Sequence, residues 1–299
     1  MLNFREITLA DRATLGQKLR NLQPEISDLN FTNFFMWQHT YVLRICYLED
    51  LDYWVLFARP KRWKPFFFVP IGDWQDEDKL KSVLKYIEDF CQNENLQVFF
   101  KRVPESFKNI LMRIDPDLSA REDRNTFDYL YSVSELISLA GRKYHSKRNH
   151  LNQFLRKYKW EYQVINEEVL AEIMALETDW FNLKLAQQPK ISAEDQAMLM
   201  VMTNFQQLDV VGGVIRVDGT IQAISVGEIL NDNTALIHIE KANTMFSGIY
   251  AAINQQFLLN QWQDKEYVNR EEDMGLEGLR KAKMSYNPLM LVKKFNLYK

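Results

Sequence analysis

The sequence predicts an α/β protein in which one order of strands and helices runs twice. Three observations predict it. The chain has 299 residues, 46% hydrophobic and 26% charged. That is a folded composition near the practical limit of a single core, so two units of about 150 residues are expected. Hydrophobic positions switch along the chain between the spacing of an amphipathic helix and the alternation of a half-buried strand. The order of those switches in the first half recurs in the second, with no obvious repetition of residues.

In the first half, residues 4–9 read as a short strand and 10–22 as a helix with Leu15, Leu19 and Leu22 on one face. The segment 27–41 offers Ser27 and Asp28 as caps, followed by a dense aromatic helix face. Three strand-like runs follow at 41–47, 53–58 and 66–71, the first two joined by the acidic turn LEDLD. Residues 78–90 carry Leu80, Val83, Leu84 and Ile87 at helical spacing. A strand at 96–101, a helix at 105–112 and a strand at 127–133 complete the half.

The second half opens with helices at 168–181 and 194–208. Asp218-Gly219 between alternating runs at 210–217 and 221–230 is the best hairpin signal in the chain. A strand at 234–239 leads to a helix at 247–259, with Phe246, Ile249, Ile253 and Phe257 on one stripe. A strand at 266–269, a helix at 276–285 and a strand at 289–295 end the set. Hairpins feeding a parallel pair through a crossover helix belong to mixed sheets. The order is similar to that of the GNAT acyltransferase fold in tandem copies, which implies an accessory unit at 1–130 and an active unit at 131–299, with a basic helix at 141–159 near the junction.

Composition bounds the partners. Thirty-seven Lys and Arg against 40 Asp and Glu give a net charge of -3, so no global basic field draws the chain to nucleic acid and a polyanion must meet a local patch. Cys46 and Cys91 are too few for a disulfide framework and lack zinc spacing; they read as small core residues in a reducing compartment. The start MLNFREITLADR has no signal-peptide pattern, and no window reaches the apolar length of a spanning helix. A cytoplasmic protein is expected.

The GNAT likeness places the ligand in a wedge between the central strands, with its anionic part at the start of the crossover helix, where free N–H groups favour negative charge. In the first half that position carries Asp73, Asp76, Glu77 and Asp78, which also suit a plain helix cap. In the second half NTMFSGIYAAI has no acid, and Ser247-Gly248 leaves amides accessible. The second copy is therefore expected to hold the site. Gly248 stands alone, however, without the spaced glycines of an acetyl-CoA loop.

Three further segments carry chemistry. GRKYHSKRNHLNQFLRKYK (141–159) has seven bases and no acid, and its Leu151, Phe154, Leu155 and Tyr158 form an amphipathic stripe with Ser146 as a cap. Lys147 continues the inward stripe, so Lys143, Lys147 and Arg148 are candidate polyanion ligands; a solvated basic face is the alternative. His145 and His150 flank it without an assigned role. Glu240, Lys241 and Asn243 end the strand before the proposed anion loop, and Glu240 is the leading general-base candidate against a plain edge carboxylate. His238 shares that strand, on one sheet face. In YVNREEDMGLEGLRKAKMSYNP (267–288), Asn269, Arg270, Glu271, Glu272 and Asp273 run off a strand end into Arg280, Lys281 and Lys283, where open α/β sheets bind ligands; helix-surface pairs such as Glu277 with Lys281 explain part of this.

KYHSKRNHLNQFL, IHIEKANTMFSGIYAAINQQF and VNREEDMGLEGLRKAKMSYNP together resemble the phosphatidylglycerol lysyltransferase C-terminal domain family, over nearly the whole chain. The resemblance implies a bacterial tandem GNAT fold, shared with Fem-type aminoacyltransferases, and transfer of an aminoacyl group from aminoacyl-tRNA to an amine or hydroxyl acceptor. It implies a donor site near Lys241, Asn243, Ser247, Gly248, Asn269, Arg270, Glu272, Arg280 and Lys281. Glu240 or Asp273 would be the base, and Tyr286 the group that protonates the leaving oxygen. No tightly bound cofactor or metal is implied; the donor is aminoacyl-tRNA or, alternatively, acyl-CoA. The acceptor is a small molecule, lipid headgroup or peptide. A binding module without catalysis, recognising a nucleotide or peptide, is the reading from another class.

Overall fold

The computed structural model describes residues 2–175 and 192–299. Two compact units divide the chain: Met1–Asp128 with Val292–Lys299, and Tyr129–Leu291. The last eight residues thus belong with the first unit, a correction to the expected span of 131–299 for the second.

The first unit holds a six-stranded sheet in the order β1-β2-β3-β4-β13-β5. Its strands are β1 (Leu43–Leu48), β2 (Tyr53–Ala58), β3 (Phe66–Phe67), β4 (Phe99–Pro104), β5 (Ser119–Glu122) and the C-terminal β13 (Lys294–Tyr298). β1 and β2 form the expected antiparallel hairpin, and β3 meets β4 in parallel at Phe67 and Phe100. The helix Glu77–Asn93 connects that parallel pair, and the Asp76 carboxylate caps it by accepting from the Lys79 N–H. Capping accounts for an acid at this position. The aromatic helix Phe31–Tyr41 is capped by Asn30 rather than by Ser27 or Asp28. Phe34, Phe66, Phe67, Phe68 and Phe100 are fully buried, so phenylalanine fills the ground beside β3 and β4.

The second sheet has seven strands in the order β12-β6-β11-β10-β9-β8-β7. They are β6 (Asp128–Ser132), β7 (Trp160–Val164), β8 (Val211–Val217), β9 (Thr220–Asn231), β10 (Thr234–Ala242), β11 (Tyr267–Asn269) and β12 (Met290–Val292). The run expected at 289–295 is therefore two strands in two sheets, broken at exposed Lys293. Strands β5 and β7 and the helix Val133–Ser138 were not anticipated. The expected strand at 4–9 reduces to a bridge between Arg5 and Ile45. Of the helix expected at 168–181, the part from 176 lies outside the described residues. No helix among the described residues is long and apolar enough to cross a membrane.

Two helices cover the site-bearing part of this sheet. The crossover helix Ile249–Gln261 buries Ile249, Ala251, Ala252, Ile253, Asn254, Phe257 and Leu258. The basic helix His145–Lys157 buries Leu151 and Phe154 and begins after a 3-10 turn at Arg142–Tyr144, with Ser146 inside it rather than capping it. The two helices meet at Gly248. Its φ is +88°, and a Cβ there would stand 2.2 Å from the His150 carbonyl oxygen. Gly248→Ala is therefore expected to cost about 2–4 kcal/mol, from left-handed strain plus forced separation of the helices. Gly219→Ala, at φ +82° with nothing within 4 Å, should cost only about 1–2 kcal/mol. Urea unfolding of the two variants checks the difference.

Candidate active site

Strand register creates a fork in the second sheet. β10 and β11 run parallel for three pairs, Thr234 with Tyr267, Ala235 with Val268 and Leu236 with Asn269. β11 then ends, while β10 continues to Ala242 paired only with β9, through a register shift between Ile237 and Ile239. One edge of β10 is freed beyond Leu236. His238 and Glu240 lie on that stretch, and Arg270 and Glu271 follow directly on β11, so two pairs of titratable residues face each other across the fork.

Glu240 and Arg270 form the first bridge. Arg270 Nη2 donates to Glu240 Oε1 at 2.7 Å, and the buried Asn254 amide donates to Oε2 at 3.1 Å. The Arg270 guanidinium lies 4.8 Å from the Tyr286 ring centre and 5.5 Å from that of Tyr131. Lys147, the inward lysine of the basic helix, holds its ammonium 4.0 Å from the same Tyr286 ring. Burial works against the Arg270 charge, but Glu240 and the two phenols outweigh it and hold the guanidinium above its ordinary value. Burial and then the Arg270 charge push the Lys147 ammonium down, partly offset by Glu240. Burial pushes the Tyr286 phenol up to about 12, with Arg270 opposing and Glu240 reinforcing. The Tyr131 hydroxyl donates to the Lys283 carbonyl at 2.8 Å, whereas that of Tyr286 has no hydrogen-bond partner among the described residues.

His238 forms the second bridge. Its Nδ1 lies 2.9 Å from Glu271 and its Nε2 2.8 Å from Glu228, and the ring is wholly buried. Burial lowers the imidazole pKa, but the two carboxylates together outweigh it and raise the group to about 9. Below that pH the ring is a cation with both N–H groups engaged. It ties β9, β10 and the loop after β11 into one unit.

The loop after β11 is braced from below. Lys283 Nζ donates to the carbonyls of Arg270, Glu271 and Glu272 at 2.5, 3.1 and 2.6 Å. Glu271, Met274 and Gly275 take positive φ, which that convergence of carbonyls on one ammonium helps to hold. Asp273 is wholly buried and accepts from Tyr129 at 2.6 Å, from Arg280 at 2.8 and 3.0 Å and from the Gly275 N–H at 2.8 Å. Burial raises its pKa, but Arg280, Tyr129 and the Gly275 N–H overcome this and hold the carboxyl well below the usual carboxylate range. A carboxylate so saturated fixes the loop and has little capacity to take a proton. Asn269 is buried, and its side chain accepts from the Glu271 N–H at 2.8 Å.

The other sequence candidates lie away from this cluster or are engaged elsewhere. Lys241 pairs with Asp195 at 3.0 Å. Lys143 pairs with Glu135 at 2.8 Å, and Arg148 donates to the Leu139 and Gly141 carbonyls, closing the helix Val133–Ser138. Lys281 is exposed and pairs with Glu277. Asn243 folds its own loop, accepting from the Met245 N–H and donating to Gln222, and Ser247 is exposed. Part of the amide cradle expected at Ser247-Gly248 is engaged and part is not. The N–H groups of Ile249, Ala251 and Ala252 donate to local carbonyls, whereas those of Ser247 and Gly248 have no acceptor among the described residues, and Gly248 abuts His150. The glycine there serves helix packing.

Sequence reasoning missed Glu228, Asn254, Tyr131 and the bracing by Lys283, and gave His238 no role. A signal existed for Glu228: it is a lone acid in the apolar run ISVGEIL. Asn254, on the buried stripe of an otherwise apolar helix, was legible in the same way.

Two mixed sheets, each with a parallel strand pair joined through a crossover helix, define a tandem GNAT-like protein. The chain belongs to the family described as phosphatidylglycerol lysyltransferase, C-terminal, whose family model matches residues 19–298. It is similar to a conserved protein of unknown function from Bacteroides thetaiotaomicron VPI-5482, at 33% identity and a TM-score of 0.88 over 100% of this chain and 99% of that one. L-PGS from Bacillus licheniformis shares the fold at 16% identity and a TM-score of 0.64, over 95% and 91% of the two chains. FemX shares it at 8% identity and 0.62, over 99% and 97%.

Proposed function

We propose that the second unit is an acyltransferase that moves an aminoacyl group from aminoacyl-tRNA to an amine or hydroxyl acceptor at the fork between β10 and β11. The observation that carries the reading is the convergence there of a carboxylate, Glu240, with a phenol, Tyr286, whose hydroxyl has no hydrogen-bond partner among the described residues. Family membership and fold support an acyltransferase of the aminoacyl-tRNA-dependent or GNAT-like kind. Between these, family membership and the lone Gly248, without the spaced glycines of an acetyl-CoA loop, favour the tRNA donor.

In the proposed step the acceptor nitrogen or oxygen attacks the ester carbonyl and passes its proton to Glu240. The new bond to the carbonyl carbon forms, the ester C–O bond breaks, and Tyr286 protonates the departing ribose oxygen. Backbone N–H groups on the free edge of β10 stabilise the intermediate oxyanion. Asp273 and His238 position the loop that carries Arg270. We assign the first unit an accessory role, since phenylalanine fills the corresponding ground beside β3 and β4.

The test is to incubate the protein with a mixed pool of aminoacyl-tRNA and hydroxylamine as a small surrogate acceptor, alongside acetyl-CoA with the same acceptor. Accelerated formation of aminoacyl hydroxamate from tRNA alone is expected. Acceleration with acetyl-CoA alone, or with neither donor, overturns the assignment.

A further inference from the structure

Beside the Tyr286 ring two cations share one carboxylate. Arg270 and Lys147 face Glu240 there, while the neighbouring bridge of His238 with Glu228 and Glu271 carries one more negative charge than positive, so the fork as a whole is formally neutral. The Arg270 side chain is only 10% exposed. Its Nη2 is taken by Glu240, while its Nη1 is buried without a hydrogen-bond partner. Lys147 is half-buried, and among the described residues no carboxylate pairs with it; its contact is the face of Tyr286. Ring faces offset part of the cost of burying two cations, but they give the Nη1 N–H no in-plane acceptor. A buried donor without an acceptor, beside a half-buried ammonium that no carboxylate pairs with among the described residues, is what a protein keeps where a ligand completes the site.

We propose that Arg270 Nη1 and Lys147 Nζ form a subsite for a monoanionic oxygen group, a carboxylate or a phosphodiester, carried by the acceptor substrate. Two donors from separate side chains suit the two oxygens that both groups present. Beside the Tyr286 ring a single negative charge matches the one cation that Glu240 leaves over, and the rest of the fork adds no positive charge to hold a dianion. The rings of Tyr131 and Tyr286 lie 5.5 and 4.8 Å from the guanidinium. Because the same guanidinium holds Glu240 through Nη2, a group bound on Nη1 fixes the acceptor's nucleophile relative to the base. Calling the ligand the acceptor rests on the acyltransferase reading; the subsite rests on the geometry alone.

The experiment follows the Arg270 and Lys147 side-chain resonances by NMR while acetate or dimethyl phosphate replaces chloride at constant ionic strength. The expected result is saturable movement of both sets of signals with at least one probe. Lys147→Met is expected to weaken that binding by roughly tenfold or more, the weight of one charge-assisted hydrogen bond, and Lys147→Arg to restore it. Tighter binding of dimethyl phosphate assigns the group to a phosphodiester, and tighter binding of acetate to a carboxylate. No saturable movement with either probe, or binding unchanged in Lys147→Met, overturns the subsite. The readout needs no turnover, so anion binding without hydroxamate formation rejects the acyltransferase reading and keeps the subsite, while hydroxamate formation without anion binding does the reverse.

Discussion

Glu240→Gln is expected to lower aminoacyl transfer to hydroxylamine by about 10²–10⁴-fold, the usual weight of a positioned general base. The substitution is chosen to separate proton transfer from architecture. Glutamine keeps a carbonyl oxygen for Arg270 Nη2, now 2.7 Å from the carboxylate, and is nearly the same size. It cannot accept a proton at neutral pH. Losing the negative charge beside a buried guanidinium still carries a stability cost of about 1–3 kcal/mol, so urea unfolding must accompany the kinetics and rates must be compared where both proteins are folded. The loss should fall on kcat, because the base acts in the transition state rather than in donor binding. Tyr286→Phe should lose less, since water can protonate a ribose oxygen in its place. If Glu240→Gln retained more than about a tenth of the rate, the base would have to be sought elsewhere; Glu271, engaged with His238 across the same fork, is the next carboxylate.

The strength of this assignment varies with how each residue was found. Lys147 was legible because a helix repeats: four residues before Leu151, it had to continue the inward stripe, and it does, over Tyr286. Glu240 and Arg270 were legible because strand ends in an open sheet are where polar residues converge. Their pairing with each other, and that of His238 with Glu228 and Glu271, was not, since a side-chain contact between separate strands leaves no local spacing in the sequence. Gly248 shows the opposite limit. A glycine at a helix start fits both an anion cradle and a tight helix crossing, because each needs an absent Cβ. The His150 carbonyl oxygen, 2.2 Å from where a Cβ on residue 248 would stand, shows the crossing, while the Ser247 and Gly248 N–H groups have no acceptor among the described residues, so the two uses coexist. The fate of residues 289–295 is similar. Alternation announced a strand but could not name its neighbours, so the exchange from β12 in one sheet to β13 in the other was invisible.

That C-terminal strand brings the second large expected effect. Lys294, at the start of β13, is wholly buried in the first unit and donates to Asp28 at 2.5 Å, Asp128 at 2.6 Å and Ser27 at 3.2 Å. Arg102 pairs with the other oxygen of Asp28 at 2.8 Å, and Ser27 donates its N–H and hydroxyl to Asp128 at 2.7 and 2.9 Å. Two cations thus balance two carboxylates. Lys294→Met leaves Arg102 to serve Asp28 and removes the Lys294 counter-charge from the buried Asp128, which keeps its hydrogen bonds from Ser27, for an expected loss of about 3–5 kcal/mol in urea unfolding. Lys294→Met combined with Asp128→Asn should recover much of that loss, because the asparagine oxygen still accepts from Ser27 and no net charge remains. A double variant no more stable than the single one would show that β13 is held by packing instead. Acid supplies an independent check. Burial opposes the Asp28 charge, but Arg102 and Lys294 overcome it and hold the carboxyl below its ordinary value. Its contribution is therefore complete above about pH 4 and lost as the pH falls through the depressed value. Without Lys294 that depression shrinks, and acid unfolding of the single variant should begin at a higher pH than in the native chain.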